Sequence, residues 1–517
     1  MTLLVLSHLP LGLYLVVVAA LSLFGAHMGF LLWLGRRMTL GSTPPRTVPL
    51  SPAAFPRVTV QLPIYNERYV ADRGIRALAG LEWPRDRLQI QVLDDSTDDT
   101  TTIARQAVDE LRAAGHDIVL LHRAQRDGFK AGALAAGLPS ATGEFVAMFD
   151  ADFLPAPDFL MALLVRRTAF ADSRVGFVQA RWSFLNRDVN LLTRAQAVMH
   201  DPHFFVEQPV RCQQGWTFNF NGSGGIWRRA CIDDAGGWIA DTLTEDLDLS
   251  YRAFLRGWKA TYEGDVLAPN ELPEDIFSFK RQQARWARGS IQCARKLLGP
   301  VWRSPKFSWG SRVIATVHLL GYSLHLFLLA FVLLWPVCQL MPYWFPGTPG
   351  FPDWLLWFAP LGVCYPVVMV CSQLVQRGPW SRVWLDFPLA AWLGVGLGFA
   401  NSFAVLEGFF RAETGVFVRT PKPAGASLPA RGIYRARADW TMGFEALIVV
   451  ALAGLGVEMW AKDFRLWALG PFFYGGGYLF ILILQVRELA GRRQARPAAA
   501  VSNSAPSVPS LASITDE

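Results

Sequence analysis

Residues 145–152 read FVAMFDAD, a short apolar run that ends in two aspartates, Asp150 and Asp152. Such a run is typical of a strand that is buried on both faces of a parallel sheet. Similar runs lie at residues 58–62, 88–93 and 118–121. Helical patterns separate them, for example at residues 69–81 and 100–114. This alternation predicts an open, doubly wound α/β sheet over residues 57–275, with ligands bound beyond the carboxyl ends of the strands.

The composition indicates a membrane protein. Of 517 residues, 52 % are hydrophobic and only 18 % are charged, which is too apolar for a soluble chain of this size. The net charge of +7 would suit nucleic acid, but the basic residues lie mostly beside apolar segments, as the positive-inside rule describes. We therefore expect a lipid bilayer, and no nucleic acid, as a partner. The six cysteines show no metal-ligand spacing, which favours a reducing compartment for the polar domain.

The N-terminal region, residues 1–37, is predicted to be one transmembrane helix. Residues 11–35 are almost uncharged, and Arg36 and Arg37 follow directly. A cleaved signal peptide is the alternative, but its basic residues would precede the apolar run. The arginines place the downstream side in the cytoplasm and the N-terminus outside. Residues 38–56 are predicted to form a Pro-rich linker.

A second membrane region is predicted over residues 311–488. Its apolar stretches lie at 313–341, 354–375, 385–409, 442–460 and 466–486. Because the loops before and after the third stretch are both basic, both are expected in the cytoplasm, so 385–409 is predicted to lie in the interface or to re-enter while the other four stretches cross. The tail, residues 489–517, is predicted to be disordered. The expected location is a bacterial inner membrane, with the α/β domain in the cytoplasm.

Acidic residues follow two of the predicted strands. Asp94 and Asp95 come at the end of strand 88–93, where a carboxylate could bind a nucleoside, although Asp and Ser are also common helix caps. Asp150 and Asp152 could bind a divalent cation, Mg²⁺ or Mn²⁺, which prefers oxygen ligands and shares its shell with substrate phosphates. An ordinary polar turn is the alternative. The second acidic strand end upstream favours the functional interpretation.

Charged residues also mark the starts of two predicted helices. A glycine-containing segment, residues 126–134, opens a helix with Lys130 and suits a diphosphate, although a solvent-facing lysine is the alternative. Thr244 precedes Glu245 and Asp246 at the start of an amphipathic helix. This pair is the predicted catalytic pair, with Asp246 as the base that deprotonates an acceptor hydroxyl. Helix capping and a favourable interaction with the helix dipole are the alternative.

Residues 282–286, QQARW, lie within amphipathic interface helices predicted over residues 276–310. Trp286 can stack on a sugar ring, and Arg285 can hold a phosphate with two hydrogen bonds. A membrane-surface helix anchored by tryptophan and arginine is the alternative.

Taken in order, these motifs resemble processive family 2 glycosyltransferases, whose signature is Asp, Asp-x-Asp, Asp and Gln-x-x-Arg-Trp. The likeness is to plant cellulose-synthase-like mannan and glucomannan synthases, their xyloglucan-backbone relatives, and bacterial homologues that include ceramide-glucosyltransferase-like enzymes. It is dense over residues 57–300. The matching segments include VLDDSTD (92–98), FKAGAL (129–134), FDADF (149–153), VQARW (178–182), FNG (220–222) and EDLDL (245–249).

The resemblance implies a GT-A fold joined to an α-helical transmembrane region, and an inverting mechanism with Asp246 as the base. It also implies a set of residues that bind the donor, the metal–diphosphate group and the acceptor end. That set comprises Asp94 or Asp95, Lys130, Asp150, Asp152, Gln282, Arg285 and Trp286.

A gating-like loop is expected at residues 410–440. Residues 417–422, FVRTPK, resemble the family motif Phe-x-Val-Thr-x-Lys, which closes over the donor. Phe417, Thr420 and Lys422 match this motif, whereas Arg419 replaces its valine. The chain also departs from the plant enzymes in having Ala284 where they carry histidine.

Two functions stay open at this point. The first is extension of a β-glycan with glucose or mannose from UDP-glucose or GDP-mannose. The second is single transfer to a glycolipid acceptor of the ceramide or diacylglycerol type. The gating-like loop and the five predicted spans favour the first. A catalytically silent membrane scaffold or transporter is a third possibility, and the intact acidic set argues against it.

Overall fold

The computed structural model describes residues 2–36, 55–348, 355, 358–376, 380–411 and 439–494. Phe417, Thr420 and Lys422 of the gating-like loop lie outside these residues, as do most of the Pro-rich linker and most of the tail. The chain begins with helix α1 (Thr2–Gly35), which contains the first predicted span.

A seven-stranded sheet forms the centre of the polar domain. Its strands are β1 (Val58–Ile64), β2 (Leu88–Asp94), β3 (Asp117–His122), β4 (Phe145–Met148), β5 (Val175–Phe184), β6 (Gly225–Arg228) and β7 (Lys259–Asn270). Their spatial order is β3-β2-β1-β4-β6-β5-β7. The first four strands are parallel, which confirms the prediction that the four apolar runs form parallel strands. The sheet is mixed beyond them, because β6 is antiparallel to both β4 and β5, whereas β5 and β7 are parallel.

This topology decides which strand ends meet. Two successive antiparallel pairings restore the original direction, so β5 and β7 run the same way as β4. The carboxyl ends of β1, β2, β4, β5 and β7 therefore share one edge of the sheet with the amino end of β6.

Helices cover both faces of the sheet. The helices of this part of the chain are α2 (Ala71–Ala79), α3 (Thr100–Ala113), α4 (Phe129–Gly137), α5 (Leu191–Pro202), α6 (Gln208–Gln213), α7 (Arg229–Asp234) and α8 (Glu245–Arg256). π-helical turns lie at Met161–Arg166 and His203–Glu207, and 3₁₀ turns at Arg85–Arg87 and Leu138–Ser140. Because strand side chains alternate between faces, Phe145 and Ala147 pack in the core layer beneath α2 and α3, whereas Val146 and Met148 pack in the layer beneath α4 and α8.

Two further helices, α9 (Ile276–Arg303) and α10 (Trp309–Leu319), lie where amphipathic helices are predicted. Helix α9 begins at a side-chain cap, since the carboxylate of Asp275 accepts a hydrogen bond from the amide of Ser278 at 2.9 Å. One face of α9 is buried along most of its length.

The remaining helices are α11 (Ser323–Trp344), α12 (Ala359–Val375), α13 (Trp380–Gly396), α14 (Gly398–Phe410), α15 (Thr441–Ala461) and α16 (Arg465–Gln494). Four segments are long and apolar enough to cross a membrane: Leu9–Gly35, Ser323–Trp344, Thr441–Ala461 and Arg465–Ala490. A fifth is possible if the bent pair α13–α14 counts as one span. These segments support a multi-pass membrane protein.

Three predicted membrane segments differ in detail from the structure. The stretch 313–341 is divided, because α10 ends at Leu319 and α11 starts at Ser323. Within α12 the apolar part Cys364–Val375 is by itself shorter than a full crossing, and because several residues before it lie outside the described part of the chain, the crossing at 354–375 stays a prediction. Helices α13 and α14 are bent by 44°, which suits either a broken span or a re-entrant segment, so the interfacial placement of 385–409 stays a prediction.

A buried ion pair fixes α9 to the membrane helices. The ammonium of Lys280 lies 2.7 Å from the carboxylate of Glu445 on α15 and 2.7 Å from the hydroxyl of Thr441. The other carboxylate oxygen of Glu445 accepts a hydrogen bond from Gln485 on α16 at 2.8 Å. Lys280 and Glu445 are almost fully buried, at 3 % and 0 % side-chain exposure. Removing one partner would therefore leave an uncompensated charge inside the protein.

Candidate active site

A cleft opens at the sheet edge that the topology creates. Tyr65 follows β1, Asp95 follows β2, and Glu271 follows β7, and all three side chains line the cleft. Asn221 and Gly222 come just before β6 and line it as well. The empty space is about 1180 Å³ including the open mouth, which is large enough for a nucleotide sugar and part of an acceptor.

The structure brings nearly all the described candidate residues to this one cleft. The members that line it are Asp95, Lys130, Asp150, Asp152, Glu245, Asp246, Gln282, Arg285 and Trp286. They come from five separate parts of the chain: the ends of β2 and β4 and the helices α4, α8 and α9.

Asp94 is the exception and corrects the expectation that it belongs to the donor-binding set. Its side chain is fully buried, and its Oδ2 accepts a hydrogen bond from Thr101 at 2.6 Å and pairs with Nδ1 of His122 at 2.8 Å. Its Oδ1 accepts the amide of Ser96 at 2.9 Å. Asp94 therefore holds the β2–α3 turn against β3, and of the two neighbouring aspartates only Asp95 reaches the cleft.

Asp95 is held rigidly where β2 ends. The guanidinium of Arg123 donates to both of its carboxylate oxygens, at 2.7 and 2.6 Å. This bidentate pair fixes the plane of the carboxylate, and Asp95 is only 4 % exposed. A ligand at this end of the cleft thus meets a carboxylate of fixed orientation.

Lys130 joins the strand-end carboxylates to the loop before β6. Helix α4 begins after Gly128, whose φ of +69° is the left-handed conformation that glycine adopts easily. The ammonium of Lys130 donates to Oδ1 of Asp150 at 2.6 Å and to the carbonyl of Gly222 at 2.8 Å. Burial lowers the pKa of Lys130, but Asp150, Glu245 and Asp246 outweigh it and raise the pKa above its ordinary value. The lysine is therefore a permanent cation in the cleft.

Gly222 allows this close arrangement. Its φ is +78°, and a Cβ atom placed on it would lie 2.9 Å from Oδ2 of Asp246 and 3.5 Å from Nζ of Lys130. A side chain at this position would be strained and would also crowd both charged groups. Asn219 and Gln208 hold the side chain of the neighbouring Asn221.

Asp246 lies at the start of α8, with Oδ1 accepting the amide of Leu247 at 2.8 Å. Burial raises the pKa of Asp246 from 3.8 to about 7, and the adjacent charge of Glu245 adds to this effect while Lys130 opposes it. A carboxylate whose pKa lies near neutral pH is well matched to accepting a proton from a hydroxyl. The side chain keeps partial access to the cleft.

The α9 motif faces the same carboxylates. Gln282, Arg285 and Trp286 have the i, i+3, i+4 spacing that places them on one face of a helix. One turn further on, Gly289 packs directly on Thr244, because a Cβ atom there would come within 2.6 Å of the Thr244 side chain. This contact brings α9 close to the start of α8. Burial lowers the pKa of Arg285, and the charges of Glu245 and Asp246 oppose that effect.

Asp150 and Asp152 form a donor set that fits a hard divalent cation. Both line the cleft, and Oδ2 of Asp152 accepts the amide of Glu271 at 3.4 Å. Within the described ranges, no three His, Cys, Asp or Glu side chains gather closely enough to enclose a metal. Two carboxylates suit Mg²⁺ or Mn²⁺, which take further ligands from phosphate and water, and do not suit a closed zinc site.

An aromatic wall lies along another side of the cleft, and sequence reasoning gave its members other than Trp286 no role. The ring of Trp286 lies 5.7 Å from His200, and His200 lies 5.8 Å from Phe184. Further along, Trp182 lies 5.5 Å from Phe153, next to Asp152. For Trp182 the available signal was its place in the motif VQARW (178–182), and for Phe184 it was its place at the end of β5, a strand that the apolar runs did not predict. For His200 the sequence offers no signal, because a single helical histidine is more often structural.

The fold and the cleft together resemble those of a family 2 glycosyltransferase domain. Residues 56–289 match the model of the glycosyltransferase-like family 2, which confirms the resemblance seen in the sequence motifs. The matched region has a GT-A fold and is joined here to helices that are long and apolar enough to span a membrane.

The curated relatives of this chain include plant glucomannan mannosyltransferases. The chain is 43 % identical over 278 residues to glucomannan 4-beta-mannosyltransferase 1 of Oryza sativa subsp. japonica, covering 52 % of each chain. It is 44 % identical over 270 residues to glucomannan 4-beta-mannosyltransferase 2 of Arabidopsis thaliana, covering 51 % of this chain and 50 % of the relative. The chain thus spans about half the length of the curated relatives it matches.

A solved structure is similar over a greater length. The mannosyltransferase PcManGT from Pyrobaculum calidifontis, determined with GDP-Man and Mn²⁺, superposes with a TM-score of 0.50 at 23 % identity. The match covers 78 % of this chain and 100 % of that one. At 23 % identity, this similarity is evidence for a shared fold only.

Proposed function

We propose that the protein transfers a hexose from a nucleotide-diphosphate sugar to a growing β-glycan, with inversion at the anomeric carbon. One observation carries the proposal: Asp246, with a pKa of about 7, shares a cleft with the Lys130–Asp150 pair and with the Gln282/Arg285/Trp286 face of α9. Mannose is the preferred hexose, and GDP-mannose the preferred donor over UDP-glucose, because the relatives at 42–44 % identity are named as mannosyltransferases.

The donor would lie along the strand ends. Asp95, fixed by Arg123, would accept hydrogen bonds from the nucleoside. Lys130 and Arg285 would bind the diphosphate oxygens. Asp150 and Asp152 would hold a divalent cation, Mg²⁺ or Mn²⁺, which when bound neutralises charge on the diphosphate.

Asp246 would act as the general base. The acceptor hydroxyl gives its proton to the Asp246 carboxylate while its oxygen attacks the anomeric carbon. The bond from that carbon to the diphosphate oxygen breaks, and the nucleoside diphosphate leaves with the electron pair. A single displacement from the side opposite the leaving group inverts the anomeric configuration. Lys130 and Arg285 stabilise the charge that develops on the leaving group.

The membrane helices would place this cleft at the cytoplasmic face. Arg36 follows the first span, and Arg288 and Arg295 lie on α9, the helix that carries Arg285. Basic residues of this kind flank the cytoplasmic ends of membrane spans. The N-terminus would then be outside.

The test uses the purified full-length protein in lipid nanodiscs with Mg²⁺ or Mn²⁺. Radiolabelled GDP-mannose and UDP-glucose are supplied separately, and the label is followed into polymer and into a lipid extract. Label from GDP-mannose in alkali-resistant polymer with β-linkages supports the proposal. Label only in the lipid extract would establish the glycolipid alternative, and no incorporation from either donor would reject both.

A further inference from the structure

His200 occupies an unusual position among the histidines of this chain. It lies near the end of α5 and lines the cleft between Phe184 and Trp286, with its ring inclined by 71° to the Trp286 ring. Helix α5 is firmly placed. The capping box of Asn190 and Thr193 starts it, and the carboxylate of Asp201 pairs with Arg187 at 2.9 Å.

The imidazole of His200 is available to a ligand. Across the described residues neither of its nitrogens has a hydrogen-bond partner, whereas the nitrogens of His203 contact Glu207 at 3.4 Å and Asn221 at 3.1 Å. Burial, reinforced by the neighbouring His203, lowers the pKa of His200 to about 4. The ring is thus neutral at physiological pH and offers one donor and one acceptor, which is the pair that a sugar hydroxyl can satisfy.

The surroundings favour a sugar over a phosphate. Phe184 and Trp286 present apolar rings, which pack well against the C–H faces of a pyranose. The cations that line the cleft are Arg126, Lys130 and Arg285, and none of them is among the charges that shift the pKa of His200. A diphosphate would therefore bind elsewhere in the cleft.

The position of α5 also favours the acceptor over the donor. Its residues Leu192 and Val198 pack in one core with Met369 of α12 and Leu393 of α13. His200 thus lies on a helix that packs against α12 and α13, whereas Tyr65 and Asp95 lie at the strand ends where the nucleotide is expected.

We propose that His200 is a specificity-determining residue on the acceptor side, which hydrogen-bonds a hydroxyl of the terminal acceptor sugar while that sugar packs against Trp286. This inference rests on the proposed function, because it takes the ligand to be a glycan.

The test compares His200→Leu, which keeps similar bulk and removes both hydrogen-bonding groups, with His200→Gln, which retains a donor and an acceptor. The matched control is His116→Leu, a histidine next to β3 and away from the cleft. Full-length proteins in nanodiscs are assayed with mannotetraose and cellotetraose as acceptor probes. The measurements are acceptor KM, donor KM and hydrolysis of the donor without acceptor.

His200→Leu is expected to raise the acceptor KM about fivefold to tenfold, the value of one or two lost hydrogen bonds, with donor KM and donor hydrolysis unchanged. His200→Gln should recover at least part of the loss, and His116→Leu should match the wild type. An unchanged acceptor KM in His200→Leu, or an equal rise in donor KM, would overturn the inference and leave the proposed function standing.

Direct binding of the same oligosaccharides, measured by tryptophan fluorescence without donor, separates failure of the proposed function from failure of the inference about His200. If the wild type shows no transfer but binds the oligosaccharides more tightly than His200→Leu does, the proposed reaction is rejected and the acceptor site is supported. Equal binding by both proteins would reject the site.

Discussion

Gly222 and Asp246 lie so close that a Cβ atom on the glycine would come 2.9 Å from Oδ2 of the aspartate. The carbonyl of the same glycine accepts the hydrogen bond of Lys130 at 2.8 Å. One residue without a side chain thus keeps the candidate base and the candidate diphosphate cation within one small space. Gly222 therefore matters for the proposed reaction although it carries no functional group itself.

Gly222→Ala is therefore expected to lower kcat by about 100-fold, because the methyl group displaces Asp246 from its place in the cleft. Gly215→Ala is the matched control, since Gly215 also has a positive φ, +65°, but has open space around its Cβ position. Both variants carry the backbone strain, so their melting temperatures should fall similarly. Similar kcat values in the two variants would show that the crowding of Asp246 has no catalytic consequence.

Asp246→Asn is expected to abolish transfer, because an amide cannot accept the proton of the acceptor hydroxyl. Donor binding should persist, since the proposed nucleotide and diphosphate contacts are made by other residues. Single-turnover assays and equilibrium binding of the radiolabelled donor separate the two effects. Turnover within about tenfold of the wild type would remove Asp246 from the role of base.

The pKa of Asp246 predicts a pH dependence. The carboxylate must be ionised to act as a base, so kcat/KM should fall as the pH drops through about 7. Burial is the main cause of the raised pKa and Glu245 is the next. Glu245→Gln removes a negative charge, which lowers the pKa of Asp246 and should move the acid limb down by about half a pH unit or more.

The control for this shift is Glu110→Gln. Glu110 lies at the end of α3, where it pairs with Arg76 at 2.6 Å on the surface. Its replacement should leave the acid limb in place. An acid limb that stays fixed in Glu245→Gln would mean that another group controls it.

Asp152→Ala is expected to weaken donor binding in the presence of Mg²⁺ or Mn²⁺ by about tenfold or more, because one of two carboxylate ligands is lost. Binding measured in EDTA should change little. Asp109→Ala, on the exposed surface of α3, serves as the control. If the dependence of donor affinity on the cation is the same in Asp152→Ala and in the wild type, the cation site lies elsewhere.

Lys280→Met tests the buried ion pair between α9 and α15. It leaves the carboxylate of Glu445 buried without its partner, which is expected to cost about 3–5 kcal/mol of unfolding free energy. The double variant Lys280→Met/Glu445→Leu should recover much of this loss. Chemical denaturation in mixed micelles provides the measurement.

A surface pair provides the comparison for this experiment. Lys259 pairs with Asp172 at 2.9 Å, but the two side chains are 51 % and 38 % exposed. Lys259→Met should change the unfolding free energy by no more than about 1 kcal/mol. Equal effects of Lys280→Met and Lys259→Met would show that the buried pair contributes no more than a surface one.

Much of the fold was accessible from the sequence because its first half follows a regular alternation. The four apolar runs that became β1–β4 are short, nearly continuous and separated by helical patterns. Strands β5 and β7 were missed because they are long, irregular in their register and partly polar, with charged residues such as Arg181 and Asp265 inside them. The antiparallel β6 has only four residues, Gly225–Arg228, too few for a periodic signal.

The site was predictable where it follows strand ends. Asp95 and Asp150 could be placed at one edge because parallel strands carry their carboxyl ends together. Asp94 could not be separated from Asp95 from the sequence, since only the direction of each side chain decides which one reaches the cleft. His200 comes to the cleft through the packing of α5 on α12 and α13, a contact between segments far apart in the chain.

The ion pair between Lys280 and Glu445 has a practical consequence for the preparation of a soluble fragment of this protein. The catalytic family match ends at residue 289, which invites truncation at that point. A fragment cut there would expose the Lys280 side of α9, strip away Thr441, Glu445 and Gln485, and lose the contact of Glu488 with the amide of Ile276. The helix that carries Arg285 and Trp286 thus depends for its packing on α15 and α16, so the two parts of the chain should be purified together.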